Sequence, residues 1–323
     1  SCILLLNLTE HCNYACPTCY AAAKAPGTPF MPNSDPSKEE LMRTVKTVLA
    51  REGGKLSVLM LSGGEPTLRP DLEEIIQDIS ELPITRILLN TNGRRIGRDD
   101  GLLKFLAKNR GRVEVYLQCD GFSEQSNKIL RGENVADEKR KAVQRLSDAG
   151  VFFTLVATVL RGVNEHELGG LIELGLATPY CTGMAIQPAF GSGRSPAFDP
   201  RVRVTPTGVL RQLEALSGGK IKGEDFVPLP CSHRDCCDIG YWIKNEMEEW
   251  KSIVQMVGRE EMKNWVHLLS NTISFEATSE SVRTLIESGA IQRLLSEQQS
   301  VGAPQLARDL MQMCDCVPGV QAL

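Results

Sequence analysis

Three cysteines near the start of the chain have the spacing that most clearly points to chemistry. Cys12, Cys16 and Cys19 are separated by three and then two residues, and they follow an apolar run over residues 3–8. Three thiolates at the end of a buried strand can hold a [4Fe–4S] cluster, which takes four thiolates when protein fills every position. Three ligands leave one iron open to a small molecule. The alternatives are a structural zinc site, which prefers four closed ligands, and loop cysteines that never meet.

The composition is that of an ordinary globular protein. The chain has 323 residues, of which 42% are hydrophobic and 24% are charged, and its formal net charge is −4. This length predicts one large domain, or one domain with a smaller one. Without a basic excess we expect no nucleic-acid partner, and no apolar run approaches the roughly 20 residues that cross a bilayer. The chain begins with Ser1 rather than methionine, and we expect that residues preceded it.

The eleven cysteines are too many and too clustered to be incidental. Besides the first three, they group at residues 231–237 and at residues 314–316. An odd count and tight clustering favour metal ligation in a reducing compartment over disulfides. We therefore expect a cytoplasmic protein.

Strand and helix patterns alternate along the first 190 residues. Apolar runs with strand character lie at 3–8, 56–61, 84–89, 113–119, 152–159 and 184–188. The segments between them have helical periodicity, and the first opens with a capping box at Ser37 and Glu40. Six strands alternating with helices predict an α/β fold, a partial (β/α)6 TIM-like barrel. The loops at the carboxyl ends of the strands are where such barrels carry their chemistry.

A glycine- and serine-rich stretch over residues 191–196 predicts a domain boundary. We expect a barrel over residues 1–195 and a mainly helical region over residues 196–323, with helices over residues 210–216 and 242–254. That region also carries the second and third cysteine groups.

A second motif, Gly63-Gly64-Glu65-Pro66, follows the second predicted strand. Together with Cys12-x3-Cys16-x2-Cys19, it resembles the radical S-adenosylmethionine (SAM) superfamily over roughly residues 3–190. The resemblance implies that the three cysteines bind a [4Fe–4S] cluster whose fourth iron is chelated by SAM. It further implies reductive cleavage of SAM to a 5′-deoxyadenosyl radical, which abstracts hydrogen from an unactivated C–H bond.

The resemblance also implies a set of cofactor contacts. Gly63 and Gly64 would let the backbone approach the methionine part of SAM, and Glu65 with its neighbouring backbone would accept from the SAM amine. Ordinary strand-end capping remains an alternative for Thr91 and Gln118, and pairing with a surface acid remains one for Arg131. The other candidates for contact with SAM or substrate lie at or beyond strand ends: Thr91, Gln118, Asp120, Arg131, Thr158, Arg161 and Gln187.

One position departs from the family pattern. The residue before the third cysteine is usually aromatic and covers the adenine, whereas here it is Thr18. Tyr20, or alternatively Tyr14, is expected to take over that contact.

The later cysteines resemble a radical SAM subgroup that includes tetraether lipid synthase and the methanogen pterin methylases. The similarity rests on the segment from Pro230 to Cys237 and on a cysteine before the first strand. It implies an auxiliary iron–sulfur or mononuclear iron site, although free thiols packed as small apolar groups are an alternative. Its candidate ligands are Cys2, Cys231, Cys236, Cys237, Cys314 and Cys316.

The functional expectation is therefore a radical SAM enzyme. The subgroup likeness favours a hydrophobic or lipid-like substrate and C–C bond formation, which leaves contact with a membrane surface open. A methylase of a small cofactor precursor and a peptide-modifying enzyme are the alternatives, and an iron–sulfur or zinc carrier protein is the non-enzyme alternative. A flavodoxin or ferredoxin is the expected electron donor.

Overall fold

A computed structural model of the protein describes residues 3–28, 35–194, 199–229, 237–244, 249–263 and 266. The chain divides into two compact units, Ser1–Thr205 and Pro206–Leu323. None of the helices within the described residues is long and apolar enough to span a bilayer.

The first unit is built on a six-stranded sheet in which each strand pairs in parallel with the next one along the chain. The sheet order ends at the first and sixth strands, so it forms the open partial barrel that the sequence predicts. All six predicted strands are present, and the last begins three residues earlier than predicted. They are β1 (Leu4–Thr9), β2 (Leu56–Gly63), β3 (Ile84–Thr91), β4 (Val113–Gln118), β5 (Phe153–Val159) and β6 (Cys181–Pro188).

Crossover helices connect the strands. Ser37 and Glu40 form the predicted capping box at the start of the first helix. Ser123 caps an additional short helix after β4, which periodicity alone does not reveal. The helices are α1 (Lys38–Arg51), α2 (Leu72–Ser80), α3 (Asp100–Lys108), α4 (Glu124–Arg131), α5 (Ala136–Asp148) and α6 (Leu168–Ala177).

The core of this unit lies between the sheet and the helices. Successive side chains of a strand point to opposite faces, and in β2 Leu59 and Leu61 are fully buried. In β1 the alternation is between buried Leu6 and exposed Leu5. Because burying an aliphatic side chain stabilises the fold by roughly 2 kcal/mol, the outward faces of the strands hold the sheet to its helices. The inward faces remain available for the polar side chains described below.

The second unit combines helices with two short antiparallel strand pairs. β7 (Val227–Pro228) pairs with β8 (Asp238–Ile239), and β9 (Trp242–Lys244) pairs with β10 (Trp250–Ser252). The helices are α7 (Pro206–Leu216), as predicted, and α8 (Ile253–Val257). The helix predicted over residues 242–254 is wrong, because both of its tryptophan segments are strands. Aromatic and β-branched residues favour strands when a partner strand is available, and apolar spacing in a short segment does not distinguish the two.

Candidate active site

The three N-terminal cysteines lie in one loop after β1, here called the cluster loop (residues 10–24). Its ends are joined, because Cys12 N donates to Lys24 O at 2.9 Å and Lys24 N donates to Glu10 O at 2.7 Å. Cys12, Cys16 and Cys19 are free thiols that pack in one cluster with Tyr14 and Val135. The structure thus brings together the three residues that the motif singles out.

Two of the three sulfur atoms accept a backbone hydrogen bond. Tyr14 N donates to Cys12 Sγ and Ala23 N donates to Cys19 Sγ, both at 3.4 Å. The third, that of Cys16, interacts electrostatically with the Arg131 guanidinium. Such bonds suit thiolate sulfurs that bind iron, and they are one determinant of a cluster's reduction potential. Without a metal, burial raises the pKa of the Cys12 thiol to about 11. The thiolate form therefore needs a cationic ligand such as iron.

The number of cysteine ligands distinguishes between two kinds of metal centre. A structural zinc site needs every cysteine sulfur about 2.3 Å from one point, whereas each thiolate of a [4Fe–4S] cluster binds a different iron. Three cysteines suit a [4Fe–4S] cluster with one iron left open, whereas a structural zinc site takes four closed ligands.

The Gly63-Gly64 turn is held against the cluster loop by backbone bonds. Gly64 N donates to Thr9 O at 2.7 Å, and Glu65 N donates to His11 O at 2.8 Å. Gly63 has φ +118°, and a Cβ on either glycine would overlap a backbone carbonyl oxygen of Thr9 or His11. The two glycines thus allow the close approach of two protein segments, and the predicted contact of their backbone with SAM stays a prediction.

Glu65 is 1% exposed and has its carboxylate filled by internal donors. Oε1 accepts from the amide and hydroxyl of Thr67 and, at 2.6 Å, from the Thr91 hydroxyl. Oε2 accepts from Asn92 N at 2.8 Å. Four donors use the acceptor capacity of a carboxylate. A ligand bound at this turn would therefore contact its backbone groups. The Thr91 hydroxyl fixes the position of the Glu65 carboxylate.

Polar side chains from successive strands form a connected row, here called the polar row (Tyr20, Ser62, Asn90, Gln118 and Arg131). The hydroxyls of Tyr20 and Ser62 bond at 3.1 Å, and Asn90 Nδ2 donates to Ser62 Oγ at 3.0 Å. Gln118 Nε2 donates to Asn90 Oδ1 at 2.9 Å, and Arg131 Nη2 donates to Gln118 Oε1 at 3.2 Å. Sequence reasoning found three members and missed Ser62 and Asn90, which carry no motif signal.

Arg131 pairs with the buried carboxylate of Asp120. Its Nη2 donates to Asp120 Oδ1 at 2.7 Å and its Nε donates to Oδ2. Thr158 N also donates to Asp120 Oδ1, at 2.8 Å. Burial lowers the pKa of Arg131, but the charge of Asp120 outweighs it and leaves that pKa above its usual value. The predicted site residues Asp120, Arg131 and Thr158 are therefore one bonded group.

A cationic pair contacts the ring of Tyr14. Arg94 lies 4.2 Å and Lys139 Nζ lies 5.1 Å from the ring centroid, and Lys139 Nζ donates to Asn92 O. Burial lowers the pKa of Lys139 to about 8, with a further contribution from Arg131. Sequence reasoning missed Lys139 because it lies in a run of charged residues. Its helical spacing from apolar residues could have identified it, because it lies on the buried face of α5. The buried residues of that face are Ala136, Lys139, Ala142, Val143 and Leu146.

The ends of β5 and β6 border a cavity of about 530 Å³, here called the β5–β6 cavity. Tyr20 and Phe190 are 48% and 64% exposed, whereas Tyr14 is 1% exposed, so Tyr20 is the tyrosine on the open side. Arg161 and Arg203 have no bonded partner within the described part of the chain. The lining includes Tyr20, Thr158, Arg161, Gln187, Phe190 and Arg203. Thr18, which also lines it, donates its hydroxyl to Leu130 O at 3.1 Å.

Of the cysteines expected at the auxiliary site, Cys237 alone lies within the described residues. Cys237 is half-buried, and its carbonyl accepts from Leu229 N at 2.9 Å. Cys119 is buried in the core, and burial raises its pKa to about 11. The other predicted auxiliary ligands lie outside the described residues: Cys2, Cys231, Cys236, Cys314 and Cys316.

A family comparison agrees with this geometry. The sequence profile of the Radical SAM superfamily matches residues 6–175. The chain belongs to the radical SAM superfamily. Membership confirms the predicted family and its enzymatic nature, and it implies a [4Fe–4S] cluster and SAM.

Radical SAM relatives cover different lengths of the chain. It is 32% identical to the 7,8-dihydro-6-hydroxymethylpterin dimethyltransferase of Methanocaldococcus jannaschii over 231 residues, 70% of this chain and 44% of that protein. It is 31% identical to the GTP 3′,8-cyclase of Campylobacter curvus over 177 residues, 53% of this chain and 50% of that protein. The chain thus spans about half the length of these curated relatives.

A solved structure is similar to this chain in its fold. Streptococcus suis SuiB, bound to the precursor peptide SuiA, has a TM-score of 0.51 and 16% identity, covering 67% of this chain and 44% of that chain. At this identity the likeness concerns the fold alone, which agrees with the partial barrel.

Proposed function

We propose that the protein is a radical SAM methylase of a small heterocyclic cofactor precursor of the pterin type. The likeness to the pterin dimethyltransferase carries this proposal, because it extends over 231 residues, against 177 for the cyclase of Campylobacter curvus. The longer match reaches beyond the residues that the superfamily profile covers. It therefore includes sequence outside the part that all radical SAM enzymes need.

The β5–β6 cavity supports a small planar substrate or nucleoside. Its volume of about 530 Å³ falls in the range of roughly 300–1,000 Å³ typical of small-molecule sites. Phe190 and Tyr20 offer exposed rings on which a heterocycle can stack, and Gln187 offers an amide to its polar edge. Arg161 and Arg203 would attract a carbonyl-rich or anionic ligand.

A lipid-like substrate, favoured on sequence grounds, has less support. The apolar residues after Gly240 were expected to line its pocket. Instead Ile253, Val254, Val257 and Met262 pack together with Val227 as the core of the second unit. With these side chains committed to packing, a pterin-type precursor is the better proposal.

The residues of the first unit divide the work of such an enzyme. Cys12, Cys16 and Cys19 would hold the cluster, and the polar row would line the floor of the SAM site beside Asp120. When bound, the cluster and SAM supply one-electron reduction and a radical that abstracts hydrogen. Thr158 and Gln187 would orient the adenosine or the substrate at the open end of the row.

Two further parts of the proposal concern iron and electrons. An auxiliary iron site would use Cys237 together with cysteines outside the described residues, as in the resembled subgroup. A flavodoxin or ferredoxin would reduce the cluster. Iron that stays bound when Cys12, Cys16 and Cys19 are all replaced by Ala supports the auxiliary site. Complete loss of iron in that triple variant overturns it.

The test of the enzyme is anaerobic reconstitution followed by incubation with SAM, dithionite and 6-hydroxymethyl-7,8-dihydropterin. For each methyl group, one SAM yields 5′-deoxyadenosine and methionine, a second SAM donates the methyl group and leaves S-adenosylhomocysteine, and dithionite supplies the two electrons. We expect 5′-deoxyadenosine and a pterin product heavier by one or two methyl groups, both detected by mass spectrometry. Cys16→Ala is expected to abolish both products. Cys181→Ala is the matched control, because Cys181 is at the opposite, amino-terminal end of its strand.

The outcomes separate the competing functions. Formation of 5′-deoxyadenosine without a methylated pterin would support the radical chemistry and contradict the proposal that a pterin is the substrate. An intact cluster that releases no 5′-deoxyadenosine with any substrate overturns the methylase and favours an iron–sulfur carrier.

A further inference from the structure

Lys139 is a fully buried cation with no role in the scheme above. It is 1% exposed, donates to the carbonyl of Asn92 and lies 5.1 Å from the centroid of the Tyr14 ring. Within the described residues its amine has no carboxylate partner. Lysine is almost never fully buried unless it is paired, since removing a charge from water is costly. We therefore expect a negative charge close to the Lys139 ammonium group.

The carboxylates around Lys139 are already engaged. Asp120 is paired with Arg131, and Glu138 is paired with Arg94. Glu65 is bonded to neutral donors and is separated from Lys139 by Asn92, whose N–H donates to Glu65 and whose carbonyl accepts from Lys139. Two thiols also interact electrostatically with Lys139, Cys119 and Cys16. Burial raises the pKa of Cys119 to about 11 and keeps that thiol neutral. Cys16 belongs to the cluster loop, whose Tyr14 packs with all three cysteines and contacts Lys139 through its ring.

A [4Fe–4S] cluster on three thiolates supplies the missing charge. Its oxidised 2+ core with three thiolates carries one net negative charge, and reduction by one electron adds a second. A neighbouring cation stabilises the reduced form more than the oxidised form, and net charge is one of the determinants of cluster potential. Burial of Lys139 strengthens this effect, because water screens the attraction between two charges less in the interior.

We infer that Lys139 is a positioning residue that makes the cluster easier to reduce and holds the cluster loop through Asn92. Asn92 Nδ2 donates to Asn13 Oδ1 at 2.7 Å and lies 4.0 Å from Cys12 Sγ. The chain of contacts from Lys139 to Asn92 to Cys12 thus joins α5 to the first ligand. The inference rests on the cluster of the proposed function, but not on its substrate.

The experiment is an EPR-monitored potentiometric titration of the reconstituted protein without substrate. In Lys139→Met we expect the ratio of reduced to oxidised cluster at a fixed potential to fall about tenfold, which is a midpoint lower by about 59 mV. Lys139→Arg, which keeps the charge, and Lys141→Met, at an exposed position of the same helix, should titrate like the parent. The triple Cys12, Cys16 and Cys19 variant identifies the signal of this cluster.

Every result bears on the inference. A parental midpoint in Lys139→Met with parental iron content overturns it. If Lys139→Met holds no iron, Lys139→Gln, which keeps a donor for Asn92 but no charge, takes its place. Iron binding in Lys139→Arg but not in Lys139→Gln supports a need for charge. If Lys139→Arg folds but binds no iron, the shape of the side chain and not its charge decides iron binding, and the inference is wrong.

Failure of the proposed function is recognised separately. A parent protein with no cluster signal removes the basis of both proposals. A parent protein that has a normal cluster but methylates no pterin would contradict only the proposed pterin substrate. The inference about Lys139 would still stand, because the titration uses no substrate.

Discussion

The carboxyl edge of the sheet has a closely bonded part at β1–β4 and an open part at β5–β6. In the closely bonded part, Glu65 and Asn92 are buried, and their polar atoms bond to other residues of the same edge. In the open part, Gln187 and Phe190 are exposed around a cavity, and Arg161 has no bonded partner among the described residues. The two parts meet at Thr158, whose amide is bonded to Asp120 and whose side chain lines the cavity.

The difference matches the two tasks that we propose for this edge, holding a cluster and recognising a substrate. Groups that hold a cluster must be preorganised before it binds, and this requires partners that lock each side chain. Groups that recognise a substrate keep unsatisfied donors and exposed rings, which the ligand then covers. We therefore expect substitutions in the closely bonded part to change stability and iron content. Substitutions in the open part should change substrate recognition alone.

The largest expected effect concerns the Asp120–Arg131 pair. Asp120→Asn leaves the buried Arg131 guanidinium without its counter-charge, and breaking a buried pair costs roughly 3–5 kcal/mol. Urea unfolding followed by circular dichroism measures the loss. Asp100→Asn is the control, because Asp100 pairs with Arg145 at the exposed surface and its replacement should leave the unfolding midpoint in place. Equal midpoints for the two variants would contradict the distinction between the two parts.

A smaller loss is expected from Gly64→Ala. Its Cβ would overlap the His11 carbonyl, so the cluster loop must shift, and overpacking of this kind costs about 3 kcal/mol. Iron bound per chain should fall together with the unfolding midpoint. Gly170→Ala is the matched control, because nothing lies within 4 Å of a Cβ at that helical glycine. Parental iron content in Gly64→Ala would show that the loop tolerates the shift.

The smallest effect on stability is expected from Phe190→Ala. Phe190 is exposed, so the free energy of unfolding should change by less than about 0.5 kcal/mol. Loss of a stacking ring should raise KM for the pterin about tenfold, or about 1.4 kcal/mol, with kcat retained. Ile129→Ala, at an exposed position on α4, serves as control. A large loss of stability in Phe190→Ala would place this residue with the closely bonded part.

Much of the fold was predictable because its signals are local. Six apolar runs separated by helical periodicity predicted six parallel strands, and the six-stranded sheet of the first unit confirms them. The wrong helix over residues 242–254 arose where the strands are three residues long, since a short apolar segment carries too little periodicity to separate helix from strand. α4 was missed for the same reason, because it has few buried apolar residues.

The sequence by itself determined the three-cysteine motif, the glycine turn and the strand ends that carry them, because spacing along one chain defines each of these. Only the tertiary structure decided which side chains meet across that edge. It placed Tyr14 inside and Tyr20 at the cavity, filled the Glu65 carboxylate with internal donors and brought Lys139 from α5 to the cluster loop. These contacts join residues far apart in sequence, and their partners are chosen by how the strands and helices pack rather than by any local pattern.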